Sequence, residues 1–505
     1  MAVHMNKNLI ANILGKLWGF ISLYVFMPLY FTSLGSQSFG LIGLYTALAS
    51  VIMIADFGIS ASINRQFATL IVSQKEWSRL PKVLRSYEIV YLLCLILIFS
   101  VFHLVNSFFD PKFMNIDMIG SSDQGWLVYV MSFALLLQLF SSVYFNSLMG
   151  AERQISANVI QILWGMLRAL GSVVILVFFD ADILDFFIWQ LICNVIYLLV
   201  LYIFSWRLVR IFSQEPSVFS LFEITSNAKF MTGFMVISVI SVAVTQLDKF
   251  AVVSVLDLTS LGLYTLAVSF AMIPIVIVSP IGLTLFPRFT SLISQNNSAD
   301  LLKTFVIYRD LTCALLIPIS VIILWFMPDI LFLWLGDKEV VDKIADPATY
   351  FFGAQVLQSL TLIGYYLILA KGKVEYNIYL GIITLVIYLP LCFWLTSLYG
   401  ISGTAISYLI VNVAIFPLYV YFVRYKIIRE EGSSLISYQV IISLISSFLV
   451  IYLYDLVFSF GDSFFEKILF LAGLLSATAL LSLATNPFVR RYFFEVSSGL
   501  RSGQL

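Results

Sequence analysis

Residues 237–256 read ISVISVAVTQLDKFAVVSVL, and the fold turns on how that stretch is taken. It is apolar almost throughout and long enough to cross a hydrocarbon core about 30 Å thick, which asks for about 20 such residues. Yet Asp248 and Lys249 stand side by side within it. If the run spans a membrane, both charges need a place out of reach of lipid. Whether it does is decided by the rest of the chain.

The chain has 505 residues, of which 61% are hydrophobic and only 11% charged, and its mean hydropathy is +1.00. A soluble protein of this size needs far more polar surface. Fourteen apolar segments follow one another, at about 8–33, 40–71, 82–107, 124–149, 155–179, 184–208, 228–256, 259–286, 304–335, 347–370, 374–398, 401–424, 436–458 and 465–486. The fold class is therefore an all-α integral membrane protein of about 14 transmembrane helices. Between the segments lie short loops, too short for an extramembrane domain. The opening MAVH, residues 1–4, reads as a cloning remnant before a natural start at Met5, and no cleavable signal peptide is expected.

Net charge is zero, so no global field draws nucleic acid. Where the charges lie says more. With the first residues inside, 21 of the 28 cations fall on the cytoplasmic side, four (Lys112, Lys338, Lys343 and Lys467) fall outside, and Lys16, Arg168 and Lys249 lie within spans. That asymmetry follows the positive-inside rule and predicts cytoplasmic termini. The charged stretch 337–346, DKEVVDKIAD, reads as a solvated loop, and Arg85 with Glu88 as a surface ion pair. Cys94, Cys193, Cys313 and Cys392 sit in apolar runs without metal or disulfide spacing and read as small hydrophobes. No metal site, cofactor site or phosphate-binding loop is expected.

The sequence also repeats. Residues 43–50 read GLYTALAS and residues 262–269 read GLYTLAVS; RQFATLI at 65–71 resembles RFTSLI at 288–293. The offset corresponds to six spans, an even number, so the two halves share one orientation, as in transporters built from parallel repeats. The predicted division is 5–215 for the first lobe, 216–430 for the second, and 431–505 for two extra helices and a cytoplasmic tail.

Polar residues recur at helical spacing in several spans: Asn8, Asn12, Lys16 and Gly19; Asp56, Ser60 and Asn64; Asn158, Gln161, Gly165, Arg168 and Ser172; Ser238, Ser241, Thr245 and Asp248; Gln355, Gln358, Thr361 and Tyr365. For the small and hydroxylated residues, helix packing is sufficient reason. A charge at a helix centre costs roughly 2.5–3.5 kcal/mol even on the most lenient scale. Neighbours at i,i+1 do not face each other, so Asp248 and Lys249 cannot neutralise one another. Each needs a partner on another helix or a hydrated cavity, and both alternatives stay open.

Together, ANILGKLW (11–18), LGSQSFGLIG (34–43), DFGIS (56–60) followed by Arg65, GAER (150–153), QLDKF (246–250) and SPIGLTLFPRF (279–289) resemble the polysaccharide-transport branch of the MOP exporter superfamily, the Wzx-type flippases. The resemblance runs the length of the chain. It implies two six-helix lobes related by a pseudo-two-fold axis along the membrane normal, plus two further helices. It implies transport, not enzymatic chemistry, in a bacterial plasma membrane, with a polyprenyl-diphosphate-linked glycan as cargo and H⁺ or Na⁺ as coupling ion. On that reading Lys16, Arg168, Lys249, Asn12, Asn158, Gln161 and Gln358 meet substrate, and Asp56 and Asp248 bind the coupling ion or orient the cations. A multidrug or cation antiporter of the same superfamily is the alternative, disfavoured by the three cations within spans. A peptidoglycan-precursor flippase is less favoured, because the eighth span holds no cation before Arg288.

Overall fold

The computed structural model describes residues 2–52, 56, 58–108, 121–179, 181–428, 438–457, 463–486 and 489, with side chains except at 2–21, 23, 101–108, 121–125, 229–230, 232–234, 236–237, 455 and 457. Among the described residues every regular element is helical. They are α1 (Ala2–Ile52), α2 (Ile59–Val72), a short 3₁₀ turn (Gln74–Arg79), α3 (Leu80–Phe108), α4 (Ser121–Gly150), α5 (Gln154–Phe178), α6 (Ile183–Phe212), α7 (Leu221–Thr225), α8 (Ala228–Val255), α9 (Leu258–Ala271), α10 (Ile273–Ser294), α11 (Ser298–Trp325), α12 (Met327–Leu335), α13 (Lys338–Ala370), α14 (Val374–Tyr421), a π-helical turn (Phe422–Ile428), α15 (Tyr438–Val457) and α16 (Phe464–Thr485). Eleven helical stretches among the described residues are long and apolar enough to cross a membrane, and two shorter apolar helices, Leu258–Ala271 and Tyr438–Tyr454, add to them.

Backbone chemistry explains where spans join and where they break. α1 holds two helices that meet at Gly35 (φ 76°), and α14 two that meet at Gly400 (φ 61°). Both angles favour a residue without Cβ. In the second segment, Gly58 takes φ 74° at the N-terminal end of α2. Two segments that hydropathy reads as continuous are interrupted. The eighth breaks at Met272 and the ninth at Phe326, each just ahead of a proline (Pro274 and Pro328) in the first turn of the next helix. Proline lacks the N–H and crowds the preceding turn, so the helix restarts there.

The chain forms two compact units, Met1–Thr265 and Leu266–Leu505. In the first, α2, α3, α4 and α6 close on a core that includes Ile63, Phe67, Tyr87, Tyr144 and Leu201. In the second, α10, α11, α13 and α14 share a core around Phe289, Leu367 and Tyr419, and α15 and α16 pack on α11 through Ile322, Phe470 and Leu474.

Two sequence expectations are corrected. Residues 338–346 are the opening turns of α13, not a loop: Asp337 Oδ1 accepts from the N–H groups of Glu339 and Val340 at 2.9 and 3.2 Å, and Lys343 pairs with Glu339 at 2.7 Å. A capped first turn with an i,i+4 pair stabilises helix in water as well as in lipid. Arg85 does pair with Glu88, at 3.0 Å, but not as a surface pair. Glu88 is buried and also accepts from Tyr144 Oη at 2.9 Å and Trp206 Nε1 at 2.6 Å, tying α3 to α4 and α6.

Candidate functional site

Asp248 is buried, with 4% of its surface exposed. Tyr264 on α9 donates its hydroxyl to Oδ2 at 2.8 Å, and the Lys249 backbone N–H donates to Oδ1 at 2.8 Å. Lys249 turns elsewhere, and its Nζ donates to Thr46 Oγ1 on α1 at 3.0 Å. Each charge thus finds a neutral polar partner on a different helix. Among the described residues neither makes an ion pair across helices. The partners are Tyr264 from GLYTLAVS and Thr46 from GLYTALAS, so the charged dipeptide joins one residue from each copy of the repeat. The copies themselves lie close: a Cβ on Gly262 would strike the Ser36 carbonyl, and one on Gly43 would strike Thr265 Oγ1. Glycine in this repeat is required by helix proximity.

Arg168 is half-buried on α5. Its Nε donates to Gln190 Oε1 on α6, and its guanidinium lies 4.8 Å from the Trp164 ring centre. Gln190 passes the network on, donating to Ser172 Oγ at 2.9 Å. Trp164 Nε1 donates to the buried Asn194 at 3.1 Å. Amide and indole π-face hold the arginine in place without cancelling its charge. The rest of the α5 stripe divides. Asn158 is buried and donates to the Gln154 carbonyl at 2.8 Å, while Gln161 is exposed. In the second unit, Gln358 accepts from Tyr408 Oη at 2.9 Å. The roles expected of Asn12 and Lys16 lie outside the described side chains.

Asp56 lies three residues ahead of α2, half-buried. Ser60 donates to it from its N–H at 3.1 Å and from Oγ at 2.6 Å, and Tyr91 Oη donates to it from α3. Ser142 Oγ on α4 lies 2.9 Å from both Ser60 Oγ and Tyr91 Oη. Helical spacing pairs Asp56 with Ser60. Tyr91 and Ser142 could not be read from the sequence, because each stands on a different helix.

The comparisons with known proteins agree with this architecture. The profile described as polysaccharide biosynthesis protein matches residues 5–293, more than half of the chain, and the MatE profile matches residues 234–394. A Shigella flexneri protein named "Putative O-antigen transporter" is 23% identical over 384 residues, covering 74% of this chain and 87% of its own. Two solved structures share the fold at 13% identity. The lipid II flippase MurJ in its inward closed conformation has a TM-score of 0.71, covering 96% of this chain and 99% of its own. An inward-facing multidrug resistance MATE family transporter of the MOP superfamily has a TM-score of 0.65, covering 83% and 96%. The chain belongs to the polysaccharide biosynthesis protein family. It is a multi-pass membrane transporter and not an enzyme.

Proposed function

We propose that the protein is a flippase that moves a polyprenyl-diphosphate-linked oligosaccharide, such as an O-antigen or capsule repeat unit, from the cytoplasmic to the outer leaflet of a bacterial plasma membrane. The observation that carries this is the state of the two described cations within spans. Arg168 and Lys249 are held by an amide, an indole and a hydroxyl. A cation kept at membrane depth without a carboxylate across from it is costly, and an anionic cargo offsets that cost. A lipid diphosphate supplies such an anion, while its polyprenyl tail stays in lipid throughout.

On this reading Lys16, Arg168 and Lys249 meet the diphosphate or acidic sugars, and Asn12, Asn158, Gln161 and Gln358 meet sugar hydroxyls. Asp248 and Asp56 orient those cations or bind the coupling H⁺ or Na⁺. Residues 5–215 and 216–430 are the lobes of an alternating-access cycle, 431–505 is an appendage, and both termini are cytoplasmic. Complementation tests the proposal. The gene should restore surface glycan to a strain lacking its own flippase, and failure with normal membrane abundance would sink it. The MatE match over 234–394 favours a second reading, a multidrug antiporter. Ethidium transport by purified protein in vesicles, without glycan complementation, would establish that reading instead.

A further inference from the structure

One face of α6 changes character at its end. Ile188, Ile192, Leu199, Ile203, Trp206 and Arg210 follow one another at spacings of three, four or seven residues and share that face. The four aliphatic residues are exposed, as on a face turned to lipid. Arg210 stands about 10 Å beyond Ile203 at 1.5 Å rise per residue, where such a face leaves hydrocarbon. After α6, residues 213–227 turn back over the unit as a strap. The Ser220 N–H donates to Ser86 Oγ on α3 at 2.8 Å, and the buried Glu223 pairs with Arg79 at 2.7 Å. The strap exposes Val218, Phe219, Leu221 and Phe222 instead. Polar side inward and apolar side outward is the reverse of a segment lying in water and suits a membrane interface.

A cavity of about 290 Å³ lies between the end of α6, Pro81 and the start of the strap, lined by Trp206, Arg210, Ser213, Gln214, Glu215 and Ser217. Gln214 Nε2 donates to the Arg210 carbonyl at 2.8 Å and the Glu215 N–H to Ser213 Oγ at 3.2 Å, which hold the strap's first turn. The lining carries one cation and one carboxylate. Among the described residues neither enters an ion pair, with the other or elsewhere. Pockets for drug-sized ligands begin near ~300 Å³, so this one suits a small polar group and not an oligosaccharide.

We propose that the cavity binds the headgroup of phosphatidylethanolamine, with its phosphate on Arg210, its ammonium on Glu215, and its acyl chains along the aliphatic face of α6. The indole N–H of Trp206 is committed to Glu88 at 2.6 Å, so that side chain can offer the ammonium only its ring. An arginine that merely anchors a helix end or complements its dipole needs neither a walled cavity nor a carboxylate in it. A phosphoglycerol headgroup brings no cation to Glu215, and the quaternary ammonium of phosphocholine has no N–H to donate to it. The site depends on the chain crossing a membrane and not on its cargo.

The test counts lipid bound to the full-length protein, stripped in detergent and titrated with each phospholipid, by native mass spectrometry. One phosphatidylethanolamine per chain should be retained, roughly tenfold more tightly than phosphatidylglycerol or phosphatidylcholine, as one charged hydrogen bond provides. Glu215→Gln should erase that preference and leave phosphatidylglycerol binding no weaker. Arg210→Gln should weaken both lipids about tenfold. Arg207→Gln removes an exposed cation of α6 that does not line the cavity, and should change nothing. Equal retention of the three phospholipids by the wild type overturns the proposal. So does an equal loss in Arg207→Gln and Arg210→Gln, because surface charge alone would then suffice. Displacement of phosphatidylethanolamine by a polyprenyl diphosphate, with no effect of Glu215→Gln, would make the cavity an entrance for cargo and refute it as well.

Discussion

Lys249 and Asp248 show how one residue's position fixes its chemistry. The lysine needs only a neutral hydroxyl to hold its Nζ, so its charge remains available to a mobile anion. Lys249→Ala should lower glycan export about tenfold or more while membrane abundance by immunoblot is unchanged. Lys249→Arg should keep part of the activity, since a mobile diphosphate responds to charge more than to shape. Asp248 differs because it is buried and depends on Tyr264. Tyr264→Phe removes that donor and should cost about 1–3 kcal/mol of stability, read as a lower midpoint in thermal unfolding of the detergent-purified protein. Export at wild-type rates by both Lys249→Ala and Asp248→Asn would make the pair structural. The cost of these charges was legible from hydropathy alone. Their partners were not, because Thr46 is 203 residues away and only tertiary packing brings it near. Arg168 follows the same pattern: its depth was readable, but its contact with Gln190 was not.

At the scale of elements, apolar length located helices and missed their breaks. A hydropathy average does not register that Pro274 and Pro328 remove an N–H, so the eighth and ninth segments read as single spans. The acidic start of α13 failed the opposite way: charge suggested a loop, while the Asp337 cap and the i,i+4 pair stabilise helix. The GLYT repeat was visible as a string, but the reason for its glycines emerges only in the fold. Gly262 faces the Ser36 carbonyl, a backbone atom that cannot rotate away. Gly262→Val should therefore push α9 off α1 and sharply reduce folded protein in detergent, as seen by size-exclusion chromatography. Gly372→Ala is the control. It has φ +69° and open space around the added methyl, so it should cost only about 1–2 kcal/mol from backbone strain. Equal behaviour of the two variants would mean that the close approach of the repeat copies does not matter for folding.

For the molecule as a whole, orientation follows from how cations gather. Within the second unit Lys371 donates to the Ile427 carbonyl at 2.6 Å and Lys373 to the Lys426 carbonyl at 3.4 Å. The end of α13 therefore meets the π-helical turn after α14, and Lys371, Lys373, Arg424 and Lys426 collect at one end of the unit. Lys338 and Lys343 lie at the other end of the long helix α13. On the proposed topology, the positive-inside rule puts the first end inside and the second outside. Alkaline phosphatase folds only outside the cytoplasm and reports this directly. Fused after Gly336, ahead of α13, it should be active; fused after Gly372, beyond α13, it should be inactive. Fused at Leu505 it should again be inactive, because four further helices, the two of α14 and then α15 and α16, return the chain to the starting side. Activity after Gly372 and silence after Gly336 would invert the whole topology. The proposed direction of transport would fall with it, because the cation-rich end would then face away from the compartment in which lipid-linked sugars are assembled.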